Sequence, residues 1–92
     1  MKLIYCTECL DIVKLYSEPR KCRCGQSSGH YIDDINAEYT GKAIPIGFGN
    51  NSFDHAIKNQ PNYDILGIRF YAFVIPRVCA TFRKVKSLKG LK

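Results

Sequence analysis

The chain has 92 residues and a net charge of +6, with 46% hydrophobic, 24% charged and 12% aromatic side chains. That length admits a single domain, residues 1–92, whose core is small enough to need help from a metal, a disulfide or a partner, and the composition excludes a disordered polymer or a collagen-like repeat. The apolar run from Phe70 to Ile75 is far short of the ~20 residues of a membrane helix, and the start Met-Lys-Leu-Ile-Tyr-Cys lacks the apolar stretch of a signal peptide. A cytoplasmic protein with no membrane partner is therefore expected.

The elements follow in chain order. Leu3-Ile4-Tyr5 reads as a short strand entering the first cysteine pair. Leu10 to Tyr16 alternates apolar and polar residues with a period near two, the signature of a half-buried strand. Ser17 to Arg20 is a turn, Gly25 to Gly29 a flexible loop, and Gly29 to Ile32 a returning strand. Asp33 and Asp34 read as turn residues, because adjacent carboxylates on a strand would point to opposite faces. Asn36 to Phe48 reads as a hairpin whose turn, Thr40-Gly41-Lys42, uses Gly41 for a positive φ. Pro45 should place the second arm at a sheet edge or bulge.

A helix is expected from Phe53 to Gln60, capped by Asn51 or Ser52, with Asp54 in its first turn, an apolar stripe of Phe53, Ala56 and Ile57, and Pro61 as the stop. His55 should be a surface residue. Ile68 to Ile75 is a nearly continuous apolar run, read as a central, well-covered strand. Thr81 to Val85 reads as a charged edge strand.

The five cysteines supply the strongest motif. Cys6 and Cys9 form a C-x2-C pair, and Cys22 and Cys24, followed by Gly25, form a C-x-C pair twelve residues later. An odd cysteine count without a secretion signal argues against a disulfide framework. Two close pairs on two turns can deliver four sulfurs to one tetrahedral zinc ion. Four thiolates fill every position around zinc, so the ion is read as a structural staple rather than a catalyst. His30, six residues past Cys24, is the alternative donor; free thiols, a redox pair or an iron–sulfur cluster are the competing readings of the motif. Cys79 is expected to be a buried or half-buried thiol.

Residues 3–32 resemble the four-cysteine zinc-ribbon family. They depart from its common form in having C-x-C as the second pair and no Pro or Gly beside the first. The whole chain also resembles short proteins of bacteria and their phages, on the stretches LIYCTECLDIVKLYSEPRKCRCG, AIPIGFGNNSF and FYAFVIPRVC. That likeness implies a small phage or mobile-element product and carries no residue roles. Products of this kind include sponges that sequester nucleotide signals of host defence and inhibitors that bind host enzymes.

Charge and loops suggest a ligand. Residues 1–64 hold seven bases and eight acids, whereas residues 65–92 hold seven bases and no acid. Such a field attracts phosphates or acidic surfaces. Gly47, Phe48, Gly49, Asn50, Asn51 and Ser52 open onto a helix start, which reads either as an ordinary capped turn or as an anion seat. In the second reading Arg69, Arg77 or Arg83 supplies charge, and an aromatic such as Tyr39, Phe48, Tyr31 or Tyr71 stacks on a base.

No nucleophile–base pair is evident, so an enzyme is not expected. The leading expectation is a non-enzymatic, zinc-stabilised binder of a phosphate-bearing nucleotide, assembled as a homo-oligomer. The alternatives are a nucleic-acid-binding zinc ribbon using the basic C-terminal third, with its end at residues 83–92, and a module that docks on an acidic host protein. The expected fold is α+β: a zinc-ribbon start, a mostly antiparallel sheet and one short helix.

Overall fold

The computed structural model describes residues 1–88; Lys89 and Lys92, part of the basic end read from the sequence, lie outside the described residues. The fold is a small α+β fold with mostly β content. Its strands are β1 (Lys2–Cys6), β2 (Ile12–Lys14), β3 (Arg20–Lys21), β4 (Ser28–Tyr31), β5 (Ala37–Thr40), β6 (Ala43–Phe48), β7 (Ala72–Val74) and β8 (Phe82–Lys84), with α1 (Asn50–Lys58) between β6 and β7. They form two four-stranded sheets. One has the order β2-β1-β6-β7 and is antiparallel throughout; the other has the order β3-β4-β5-β8, with β5 and β8 parallel.

The chain crosses between the sheets at Gly41. The expected 36–48 hairpin does not form: β5 pairs with β4 and β8, while β6 pairs with β1 and β7. Gly41 does have the anticipated positive φ, +89°, but the turn sends the chain from one sheet into the other. A Cβ there would lie 2.0 Å from the Gln26 carbonyl oxygen, so only glycine fits this crossing.

The period-two pattern of residues 10–16 is reproduced in burial. Val13 and Leu15 face the core, while Ile12, Lys14 and Tyr16 face out. The ladder itself covers Ile12–Lys14 and ends with the Leu15 N–H donating to the Lys2 carbonyl. The two-residue strand β3 was not read from the sequence, being charged and short.

The core lies between the sheets and is made by Ile4, Cys6, Val13, Leu15, Cys22, Ala37, Tyr39, Ile75 and Phe82. Tyr39 and Phe82 meet edge to face at 5.2 Å. Lys2 also ties the sheets together: its Nζ donates to the Thr81 and Ile35 carbonyls and lies over the rings of Tyr31 and Phe82. Directly opposed polar pairs cross β4 and β5, Ser28 with Thr40 at 2.8 Å and His30 with Glu38 at 3.0 Å.

Three further expectations are corrected. Pro45 is not at an edge, because β6 lies inside its sheet. Its carbonyl accepts from the Ile75 N–H, so its missing donor faces the β7 side just past the β7 ladder, where the reciprocal bond to the Ile75 carbonyl is forgone. The helix begins at Asn50, three residues early. Its N-cap is Gly49, with no side-chain cap, and its first turn holds no acid; Asp54 instead pairs with Lys58 one turn on.

Finally, the 68–75 run is neither central nor covered. Only Ala72–Val74 pairs, as the edge strand β7, and Phe73 and Val74 stay exposed while Ile75 alone is buried. The neighbouring helix has no buried residue and meets the run through Phe53 against Phe70, which leaves Tyr71, Phe73 and Val74 exposed among the described residues. Thr81 to Val85 does contain an edge strand, β8.

Candidate functional site

The four motif cysteines come together. Cys6 ends β1 and Cys9 lies in the turn that follows; Cys22 and Cys24 sit between β3 and β4. Their four Sγ atoms all lie within 4.8 Å of one another. The Cys6–Cys24 and Cys22–Cys24 separations are 3.8 and 3.5 Å. A tetrahedral ion with sulfurs at about 2.3 Å needs sulfur–sulfur edges of about 3.8 Å. All four are free thiols, and the set is one that can hold a metal ion, consistent with a zinc-binding site.

Local backbone geometry builds this cluster. In the first turn the Leu10 N–H donates to the Cys6 carbonyl at 2.8 Å, and Leu10 itself has a φ of +62°, in the left-handed region. The glycine absent beside the first pair is thus replaced by a leucine held in a glycine conformation. In the second turn Gly25 has a φ of +79° and donates to the Cys22 carbonyl. The Ser27 N–H donates to Cys22 Sγ at 3.3 Å, the kind of bond that stabilises a thiolate. Asp11 joins the turns: its carbonyl accepts from the Cys6 N–H and its carboxylate from the Arg23 N–H.

The electrostatics match a cation's seat. The Ser27 hydroxyl is the largest influence on Cys6 and, with the neighbouring backbone amides, brings its thiol down to about 6. That hydroxyl is buried and has no hydrogen-bond partner among the described residues, beside a cluster whose sulfurs can accept from it. Cys24 is favoured by the Gln26 amide, but desolvation and the sulfurs of Cys22, Cys9 and Cys6 outweigh it and push the thiol up to about 12. Four sulfurs this close cannot all ionise by themselves; a divalent cation among them removes that conflict.

The other single residues are accounted for. His30 is not part of the cluster; it is buried on the β4–β5 ladder against Glu38. Cys79 is half-buried, and its Sγ lies 3.5 Å from the Thr81 hydroxyl. Asp33 is a turn residue, accepting the Ile35 and Asn36 N–H groups, and Asn36 first among these interactions brings its carboxyl down to about 2. His55 is exposed.

A second feature lies where the two sheets part. A cleft of about 390 Å³ is lined by Tyr39, Ile44, Pro45, Pro76, Arg77 and Lys84, among others, and no acidic residue lines it. Arg77 and Lys84 are shared with an adjoining groove that also holds Arg83. Tyr39 is nearly buried, which raises its hydroxyl's pKa, while Arg77 acts in the opposite sense. Its ring is engaged with Phe82, so little of it is free to stack on a base.

The structure thus places Tyr39 and Arg77 of the sequence-derived ligand set in one cleft with Lys84, and Arg83 in the adjoining groove. The basic end read at residues 83–92 and the charged strand Thr81–Val85 already held Lys84, without singling it out. The remaining candidates lie elsewhere: Arg69 is exposed in the irregular stretch before β7, and none of Gly47, Phe48, Gly49, Asn50, Asn51 and Ser52 lines the cleft.

The polar groups at the helix start are also engaged. Asn50 accepts from the Met1 amino group, and the Ser52 hydroxyl donates to the Gly49 carbonyl and accepts from the Tyr71 N–H. Among the described residues no helix is long and apolar enough to cross a membrane. Comparison of the chain with family models, with curated proteins and with solved structures finds no match.

Proposed function

We propose that the protein is a zinc-stabilised, non-catalytic binding module that holds a phosphate-bearing nucleotide in the cleft between its sheets. The observation that carries this reading is the acid-free cleft, with Arg77 and Lys84 over apolar residues such as Ile44, Pro45 and Pro76. Its volume lies within the roughly 300–1,000 Å³ range of small-ligand sites. The cations suit phosphates, the apolar wall suits a base or sugar, and Arg83 extends the positive surface into the next groove. Cys6, Cys9, Cys22 and Cys24 would hold the zinc, which supplies folding energy and, with four thiolates around it, leaves no position for a reacting water.

Calorimetric titration with a nucleoside triphosphate tests the reading. Binding is expected at one site per chain, weakened about tenfold or more in Arg77→Ala and in Lys84→Ala, as for loss of a charge-assisted hydrogen bond. Arg69→Ala should bind like the parent, and native mass spectrometry should find one zinc in every variant. No nucleotide affinity, or equal affinity in all variants, overturns the proposal. Affinity only for a single-stranded oligonucleotide, falling steeply with salt, replaces it with nucleic-acid binding through the same basic surface.

A further inference from the structure

We infer that the end of the molecule formed by α1, the 59–71 segment and β7 is a surface for a second copy of this chain. The surface uses none of the cleft's cations and borders the cleft at Val74, which lines both. Nine large apolar side chains between Ile57 and Val74 are exposed, with Tyr63 and Leu66 at 80%, Tyr71 at 76% and Val74 at 69%. The helix contributes no buried residue and is attached by a satellite cluster of three rings, Phe48, Phe53 and Phe70, with centroids 4.9–5.3 Å apart. Side chains of this size bury ~150–200 Å² each, so the exposed part of these nine is on the order of 900 Å². A stable protein–protein interface needs about 800 Å² per partner.

Charge argues for a second copy over other occupants. Residues 53–75 carry Asp54, Asp64, Lys58 and Arg69 and have no net charge, so the whole +6 lies elsewhere in the chain. Two copies can meet here without bringing their positive surfaces together. An acidic protein or a nucleic acid finds no excess cation to hold.

The backbone supplies the geometry. The Tyr71 carbonyl accepts from the Gly49 N–H and the Ile75 N–H donates to Pro45, so these alternate groups face β6. The N–H and C=O groups of Ala72 and Val74 then point to the open edge of the sheet. An antiparallel β7–β7 pairing about a two-fold axis would satisfy them and join two four-stranded sheets into one.

Light scattering of the zinc-loaded full chain over a wide concentration range tests the inference. The expected result is a species of twice the 10.5 kDa chain mass. Leu66→Lys and Tyr63→Lys, both outside the cleft, should each weaken self-association about tenfold or more, with far-UV spectrum and zinc content unchanged. Hydrogen exchange should show the Ala72 and Val74 amides protected in the parent dimer and released in Leu66→Lys. A parent chain that is monomeric at every concentration overturns the inference, as does a dimer that both variants leave intact. A monomer that co-sediments with phosphatidylcholine vesicles overturns it in favour of a lipid surface.

Discussion

Leu10 carries the clearest local strain among the described residues, a side chain at a φ of +62° in the turn after Cys9. The left-handed region costs an L-residue roughly 1–2 kcal/mol, and the extra freedom of an unfolded glycine returns about 0.4–1 kcal/mol of that. Leu10 is 64% exposed, so little packing depends on it. Leu10→Gly is expected to stabilise the zinc-loaded protein by about 0.5–1 kcal/mol, read as a rise of a few degrees in melting temperature; a fall would mean that the leucine side chain holds the turn. The cysteines themselves were legible in the sequence, because ligand spacing is a local property. The help given by Ser27 was not. Its amide reaches the Cys22 sulfur only because the chain after Cys24 folds back, with the Ser27 carbonyl accepting from the Cys22 N–H.

At the scale of elements, Gly41 shows why a correct turn produced a wrong pairing. The residue types from 36 to 48 report a turn between two extended segments and say nothing about which strands those segments join. β5 turns back on its neighbour β4 across the 32–36 turn and also takes β8, while β6 pairs with β1; β8 and β1 are remote in sequence. Gly41→Ala is expected to destabilise by about 2–4 kcal/mol, since it combines a positive φ with a Cβ driven into the Gln26 carbonyl. Gly67→Ala, with open space around it, should change stability by less than about 0.5 kcal/mol in the same denaturant melts. Equal effects of the two would show that the crossing is not under steric control. The 68–75 run was misread for a related reason. A continuous apolar stretch signals burial on both faces, and it reads the same when the face that covers it is supplied from outside the chain.

Across the whole molecule the cysteine cluster joins the sheets. Cys6 ends β1 of one sheet, and Cys22 and Cys24 precede β4 of the other. A domain of this size is stabilised by about 5–15 kcal/mol in total, and a structural zinc site in small peptides is worth roughly 10–16 kcal/mol. Stripping the metal with a strong chelator at neutral pH is therefore expected to unfold the protein, with loss of strand signal in the far-UV spectrum and recovery when zinc is returned. A melting temperature that barely moves would show that the inter-sheet core, with Tyr39, Phe82 and the Lys2 contacts, suffices alone.

The molecule is elongated, 48 × 27 × 22 Å, and its core draws on β1, β2, β5 and β8, while α1 contributes no buried residue.

Residue order alone determined the four-cysteine set that can hold a metal ion, the existence of a short helix and most strands, and the separation of a basic C-terminal third from a nearly neutral remainder. These are properties of neighbours along the chain: ligand spacing, hydrophobic period, and charge count. Only the tertiary structure decided that the strands divide into two sheets, that Arg77 and Lys84 share a cleft while Arg69 does not, and that the most apolar run lies open at an edge. Each of those depends on which distant segments meet, and strand pairing is a contest among all the strands at once, which no local pattern records.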